Sequence, residues 1–206
     1  MHLFFKYLLV VIVITCLQTK SYATKPYRSK LIAEVHKLHD QSQQGDKDAT
    51  KLLVGKLEQL TQKDPKHHLM QAYLGSAYTL ASRDAFPGPN KINLLKKGLK
   101  KMDQAVEAVP KDVFVRFIRA VNNYHLPTFI NRRDNARADF EVLLETIRSK
   151  PKAYTADIRQ AIHYYAGLSY KQLKREEDAK ESWVEGVHIL ATSDLAKKMN
   201  AQLSKL

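Results

Sequence analysis

Apolar residues recur at intervals of three and four along most of the chain, which is the spacing of one face of an α-helix. In the segment 47–62, for example, Leu53, Leu57 and Leu60 share one helical face. No segment shows a convincing strand pattern, in which apolar and polar residues would alternate. The pattern therefore predicts an all-α protein.

Breaks in this periodicity divide the predicted helices into antiparallel pairs. The first pair covers 29–43 and 47–62, with a break at Gly45-Asp46. The second helices of the next three pairs are predicted at 92–109, 134–148 and 176–190. The hairpins then span about 29–63, 67–109, 113–149 and 157–191, and a C-terminal helix capped by Ser193 or Asp194 covers 194–204.

Small and aromatic residues recur together in these pairs. The clearest copy combines Ala166-Gly167-x-x-Tyr170 with Ala179-x-x-x-Trp183. It resembles the tetratricopeptide repeat over roughly residues 67–192, with tryptophan where that repeat usually has phenylalanine. The resemblance implies that 24–206 form one domain of stacked antiparallel hairpins, wound as a right-handed superhelix and specialised for binding. A generic antiparallel helical bundle is the alternative.

Two of the pairs depart from the spacing of the clearest copy. Gly167 and Ala179 are 12 positions apart there, whereas Gly75 and Gly98 are 23 apart and the third pair has a separation of 16. The longer separations predict enlarged turns at 83–91 and 127–133. In a stacked array, equivalent turns emerge on the same edge, so the two turns are expected to be neighbours.

Each predicted turn combines an aromatic side chain with cationic groups that can bind a carboxylate, phosphate or sulfate. The candidate residues are Arg83, Phe86, Asn90 and Lys91 in the first turn, and Phe129, Asn131, Arg132 and Arg133 in the second. The alternative is that both phenylalanines fold back as apolar anchors of the loops. In that case Arg83 would be neutralised by Asp84, and Arg132 and Arg133 would only precede the next helix.

A second candidate surface is the groove that the first helix of each hairpin lines in this repeat. By alignment to the last hairpin, the strongest candidates are Phe117, Tyr124, His125, Tyr164 and Lys171, and Leu69, Ala72, Ser76, Val121 and Leu168 accompany them. Their rings would form pockets for a peptide, and Lys171 would contact its charge. The alternative is that Phe117 and Tyr164 are core residues.

The N-terminus has the pattern of an export signal. Lys6 is followed by the apolar run 7–17 and by the small-residue site Ser21-Tyr22-Ala23, which predicts a signal peptide over 1–23. The protein is then expected to be exported, and periplasmic or secreted. Lipidation of Cys16 and an uncleaved anchor are alternatives, although Val13-Ile14-Thr15-Cys16 only loosely matches a lipobox.

The chain is strongly basic, with a formal net charge of +13 over 206 residues. Because export would separate it from cytoplasmic nucleic acid, the charge points to acidic protein partners or to anionic lipid or glycan surfaces. One predicted helix face carries Lys96, Lys97, Lys100 and Lys101 beside Leu95 and Leu99, which resembles a membrane-surface stripe. An ordinary solvated outer face is the alternative.

Motifs for catalysis or metal binding are not evident. We find no nucleophile elbow, phosphate-binding glycine loop or zinc-binding His-Glu-x-x-His in the sequence. Glu185-x-x-His188 has the spacing used in di-iron bundles, but such a site needs a second pair of this kind. We therefore expect neither an enzyme nor a cofactor nor a metal site.

These patterns together predict an exported helical-repeat adaptor that binds a protein or peptide in the bacterial envelope, with the two basic-aromatic turns contributing anionic recognition. A carrier of a small ligand or lipid is the alternative. Its two enlarged turns would close over an anionic solute.

Overall fold

The computed structural model describes residues 26–206, with side chains from residue 30 onward. Every regular element in that range is a helix, so the predicted all-α class is confirmed. No helix between residues 26 and 206 has both the length and the apolar content that crossing a membrane requires. The predicted signal segment 1–23, including Cys16, lies outside the described residues.

The α-helices of residues 26–206 lie within three residues of their predicted bounds. In chain order they are α1 Pro26–Gln43, α2 Lys47–Lys63, α3 His68–Asp84, α4 Pro89–Ala108, α5 Val113–His125, α6 Arg133–Ser149, α7 Ala156–Gln172, α8 Glu176–Ile189 and α9 Asp194–Leu203. Short 3-10 turns lie at Thr128–Ile130 and Pro151–Ala153. Asp46, Thr155 and Ser193 accept hydrogen bonds from the first turns of α2, α7 and α9, as N-caps do.

Residues 26–206 divide into two compact units. Unit 1 runs from residue 26 to Val115, and unit 2 runs from Arg116 to Leu206, so the division falls inside α5.

Unit 1 is organised around the close approach of α3 and α4. A β-carbon added to Gly75 would lie 2.6 Å from Cγ of Met102 and 2.8 Å from the carbonyl oxygen of Gly98. Only glycine allows this approach of the two backbones. Leu53 and Leu57 of α2 are fully buried in the same core.

The wide spacing between Gly75 and Gly98 does not produce an enlarged turn, and that prediction is wrong for 83–91. Helix α3 continues to Asp84 and α4 begins at Pro89, so four residues connect them. The 11 additional residues amount to about three complete helical turns, shared between the two helices. Gly98 therefore still faces Gly75, and the insertion lengthens the hairpin instead of its loop.

Unit 2 is organised around Trp183, which is fully buried. Its indole Nε1 donates a hydrogen bond of 3.1 Å to the carbonyl oxygen of Tyr164, and the ring lies directly against Gly167. The C-terminal helix α9 is joined to this core by Gln160, whose amide donates to the carbonyl oxygens of Gly186 and Leu190 and accepts from the hydroxyl of Ser193.

A buried carboxylate links α5 to α6 in unit 2. Asp139 is 1% exposed and accepts hydrogen bonds from Arg119 at 2.7 and 2.8 Å and from Arg116 at 2.5 Å. Two guanidinium groups on one side of α5 therefore hold α6 through a single acidic residue.

His163 of α7 is a buried histidine that should make the stability of unit 2 depend on pH. Burial lowers the pKa of His163 from 6.5 to about 4. Two charged neighbours have smaller, opposing effects: the carboxylate of Glu185, 3.7 Å from Nδ1, raises this pKa, and Arg148 lowers it. Since the unfolded chain then binds more protons, stability falls as the pH drops from about 6.5 to about 4. Over that pH range, the titration of His163 should lower the free energy of unfolding by about 3 kcal/mol.

A His163→Gln variant tests this expectation by urea unfolding at neutral pH and at about pH 4. On acidification, the wild type should lose about 3 kcal/mol more of its unfolding free energy than the variant does, because glutamine does not bind a proton. Parallel pH profiles for the two proteins would show that His163 does not titrate as described.

Candidate functional site

The cationic residues of the first candidate loop are occupied inside unit 1. The guanidinium of Arg83 donates to the carbonyl oxygen of Ser42 at 2.8 Å, near the end of α1, and to the carboxylate of Asp84 at 2.7 and 3.0 Å. This pairing with Asp84 is the alternative stated from sequence. Arg83 therefore stabilises the end of a helix and is not directed at a ligand.

Lys91 has a similar structural role at the end of α3. Its Nζ donates to the carbonyl oxygens of Ser82, Arg83 and Ala85 at 2.7, 3.0 and 3.4 Å. Carbonyl groups in the last turn of a helix have few backbone donors, although that of Ser82 also accepts from the N–H of Ala85 at 3.3 Å. Neither Lys91 nor Arg83 is placed to bind an anion, which corrects the sequence-based expectation for this loop.

The two loop phenylalanines do not fold back against the core. Phe86 is 90% exposed in the linker between α3 and α4, and Phe129 is 84% exposed in the 3-10 turn before α6. Asn90 and Asn131 are exposed as well, and Asn131 has a left-handed conformation with a φ of 56°. The two loops lie in different units.

The basic residues of the second loop differ in their surroundings. Arg132 occupies the cap position of α6 and is half-buried. Arg133 begins α6 and is also half-buried, and its Nε finds no hydrogen-bond partner in the chain as described. This nitrogen is shielded from solvent, so any pairing with a carboxylate would use the accessible part of the half-buried guanidinium.

Several residues assigned to the groove are core residues instead. Phe117 is 2% exposed, and its ring contacts those of Phe140 and Tyr165 at centroid distances of 6.5 and 6.0 Å. Ala72, Ser76 and Val121 are also buried, and Ser76 makes a 2.7 Å hydrogen bond with His39. The prediction that these residues line an open groove is therefore wrong, because neighbouring helices cover them.

Three other groove candidates do come together on α5 and α7. The ring of Tyr124 lies 4.7 Å from that of His125 and 6.1 Å from that of Tyr165, and the ring of Tyr164 lies 5.1 Å from Tyr165. Tyr124 and Tyr164 are half-buried, His125 is exposed, and Tyr165 is buried beneath them. We call Tyr124, His125, Tyr164 and Tyr165 the aromatic face.

The aromatic face contains a buried polar atom that is not satisfied. The hydroxyl of Tyr165 has no hydrogen-bond partner among the described residues, and burial raises the pKa of Tyr165 well above its usual value. Burial also raises the pKa of Tyr124 to about 12, an effect that Arg133 opposes. The positive charge of Arg133 therefore acts on one member of the aromatic face.

Lys171 lies further along α7 and is not part of this group. Its Nζ is 3.4 Å from the amide oxygen of Gln202 and 5.7 Å from the ring centre of Trp183. The neighbouring Gln172 donates to the carbonyl oxygen of Tyr124 at 3.4 Å, which ties the end of α7 to the end of α5. The amine of Lys171 thus lies against α8 and α9, and no contact among the described residues links it to the aromatic face.

The chemistry available at this face is that of binding. Half-exposed tyrosine rings contact apolar or aromatic side chains, and Arg133 can pair with a carboxylate. Between residues 30 and 206, no three His, Cys, Asp or Glu side chains are grouped to hold a metal ion. A recess in unit 1 beside His68 and Lys101 has a volume of about 160 Å³. Ligand pockets usually have volumes of about 300 Å³ or more, so this recess is small for a typical ligand.

Sequence reasoning identified three residues of the aromatic face but missed Tyr165. The signal was present, because Tyr164 and Tyr165 are adjacent and point to different sides of α7. The buried tyrosine was overlooked because a helical pattern shows which residues face inward but not which polar atoms lose their partners.

Neither a protein-family model nor a curated protein matches the sequence. Solved structures do match the fold. A thermophilic tetratricopeptide-repeat protein of Thermus thermophilus is similar with a TM-score of 0.62 and 16% sequence identity, over 85% of this chain and 82% of that chain. A point mutant of MamA is similar with a TM-score of 0.50 and 15% identity, over 87% of this chain and 88% of that chain. The first likeness confirms the predicted tetratricopeptide-like fold.

Proposed function

We propose that this protein is a helical-repeat scaffold that binds a short segment of a partner protein on the aromatic face of unit 2. The observation that carries the proposal is the grouping of Tyr124, His125 and Tyr164 around the buried ring of Tyr165, whose hydroxyl has no partner among the described residues. The fold supports it, since stacked helical hairpins present extended surfaces to partners.

The rings of the aromatic face supply contact area at a low entropic cost. Tyrosine has few rotatable bonds and combines an apolar ring with a polar tip, which is why it is frequent among residues that dominate binding energy. The rings of Tyr124 and Tyr164 also lie against Tyr165, which restricts their motion before binding. An apolar or aromatic side chain of the partner would pack between them.

The charge beside this face favours an acidic partner segment. The half-buried guanidinium of Arg133, whose positive charge acts on Tyr124, can pair with a carboxylate. The formal net charge of +13 would steer an acidic segment towards the protein. Anionic recognition is thus proposed for the loop of unit 2, whereas Arg83 and Lys91 of unit 1 are occupied by structural contacts.

The partner is proposed to lie in the bacterial envelope. The support is the sequence of residues 1–23, where Lys6, the apolar run 7–17 and Ser21-Tyr22-Ala23 follow the order of an export signal. The protein would then act in the periplasm or after secretion. Its only cysteine, Cys16, would leave with the signal, so the fold would not depend on a disulfide.

Selection from a random peptide library tests the proposal. The full-length protein should enrich acidic peptides that contain an aromatic or large apolar residue. A Tyr124→Ser/Tyr164→Ser variant should bind the selected peptides at least about 30-fold more weakly by titration calorimetry, because a single residue of this type already contributes about 2 kcal/mol when central to a site. Arg133→Gln should reduce both the affinity and its dependence on salt.

Phe86→Ser is the matched control, since it also removes an aromatic ring but from unit 1. It should bind the selected peptides as tightly as the wild type. Unchanged affinity in the double tyrosine variant, or an equal loss in the Phe86→Ser variant, would rule out the aromatic face as the binding site.

A further inference from the structure

The end of unit 1 at which α3 passes into α4 presents exposed apolar groups. Phe86 is 90% exposed in the linker, and Ile92, in the first turn of α4, is 54% exposed. Single exposed apolar residues are common in soluble proteins. Here, however, two such residues lie close together in sequence at one end of α4, and one of them is in a linker that hydrogen bonds hold in place. This arrangement requires an explanation.

The linker is fixed by contacts on both sides of Phe86. The Nζ of Lys91 donates to the carbonyl oxygen of Ala85, directly before Phe86, at 3.4 Å, and to those of Ser82 and Arg83. The hydroxyl of Ser82 donates to the carbonyl oxygen of Lys91 at 2.8 Å. Phe86 is therefore presented to solvent by an ordered linker, which reduces the entropy lost on binding.

Positive charge continues from this end along the exposed face of α4. Ile92, Lys96 and Lys100 are four residues apart, so they share one helical face, and all three are exposed. Lys97 lies 4.0 Å from the ring centre of Tyr78, and Lys101 donates to the amide of Gln71, so these two lysines pack on unit 1 instead. No acidic residue occurs between residues 85 and 102.

We infer that this end of unit 1, comprising Phe86, Ile92, Lys96 and Lys100, docks on the surface of an anionic lipid bilayer. Phe86 and Ile92 enter the boundary between headgroups and acyl chains. The two lysines lie roughly 6 and 12 Å further along the helix axis, where they meet lipid phosphates. The absence of acidic residues in this stretch fits a uniformly negative surface better than a protein surface of mixed charge.

Vesicle binding by the full-length protein tests this inference. The protein should sediment with vesicles of phosphatidylglycerol mixed with phosphatidylcholine, and less with phosphatidylcholine alone or at high salt. Phe86→Ser/Ile92→Ser should reduce partitioning at least about tenfold, because each side chain loses its burial. Lys96→Gln/Lys100→Gln should reduce binding to the anionic vesicles about fivefold for each lysine removed.

Two controls separate this surface from other sources of lipid binding. Phe129→Ser makes the same change at an equally exposed ring of unit 2 and should leave partitioning unchanged. Every variant retains the apolar run 7–17, so any contribution from that segment is common to all of them. Tyr124→Ser/Tyr164→Ser should also bind vesicles like the wild type, because lipid docking does not use the aromatic face.

A local probe makes the test independent of total binding. With Cys16→Ser in the background, an environment-sensitive fluorophore is attached through Phe86→Cys in one protein and through Phe129→Cys in another. On anionic vesicles the emission of the probe at position 86 should shift to the blue and brighten, because the probe enters an apolar environment. The probe at position 129 should show neither change. The inference would be overturned if the two probes responded equally or if the probe at position 86 did not respond. Partitioning of Phe86→Ser/Ile92→Ser at the wild-type level would overturn it as well. A protein partner for this surface would then be the better account.

Discussion

Replacing Gly167 with alanine is expected to lower the stability of unit 2 by about 3 kcal/mol. The new β-carbon would lie 2.5 Å from Cε2 and 2.6 Å from Cδ1 of Trp183, and closer still to Nε1. The indole is fully buried and hydrogen-bonded to Tyr164, so it has no space into which to move. Unfolding of purified protein in urea, followed by Trp183 fluorescence, measures the effect.

Gly55→Ala provides the matched control for this substitution. Gly55 also lies within a helix, but a β-carbon there would meet nothing within 4 Å. Alanine should stabilise α2 at this position by up to about 1 kcal/mol, the difference between the two residues in helix propensity. Equal effects of the two substitutions would show that α7 and α8 do not approach each other at Gly167 as described.

The second large effect is expected at the buried carboxylate of α6. Asp139→Ala should destabilise unit 2 by about 3 to 5 kcal/mol, because it removes the acidic group that Arg116 and Arg119 share in a site where Asp139 is 1% exposed. Equilibrium unfolding monitored by circular dichroism would measure the loss. Asp139→Asn should recover part of it, since an amide oxygen still accepts hydrogen bonds.

Asp134→Ala is the comparison on the same helix. The side chain of Asp134 is 80% exposed and lies 3.6 Å from Arg137, so its removal should cost no more than about 1 kcal/mol. If Asp139→Ala were equally mild, the two arginines would not depend on this carboxylate and the link between α5 and α6 would need another explanation.

Most of the fold could be predicted because helix periodicity and helix caps are local properties of the sequence. Ser193 begins α9 as expected from its capping chemistry, and Gly167 lies against Trp183 as the motif implied. The turn at 83–91 was predicted wrongly because a wide spacing can lengthen a loop or lengthen two helices. Because 11 residues make about three helical turns, the sequence between Gly75 and Gly98 is compatible with a longer loop and also with two longer helices.

The candidate site could be predicted only in part. Tyr124, His125 and Tyr164 were among the residues assigned to the groove, and they come together around Tyr165, whereas Phe117 lies in the core. The distinction depends on the rotation of α5 relative to its neighbours, and a small error in that rotation exchanges a surface position for a buried one. The capping roles of Arg83 and Lys91 were equally invisible, because their acceptors are backbone carbonyl groups that no residue type reveals.

The measurement that tests the central claim most directly is an amide NMR titration of the full-length protein with a peptide taken from the library selection. We predict chemical-shift changes concentrated at Tyr124, His125 and Arg133 and along α7 from Tyr164 to Lys171, with little change between residues 85 and 92 of unit 1. Changes centred on residues 85–92, or spread evenly over both units, would contradict the assignment of peptide binding to the aromatic face.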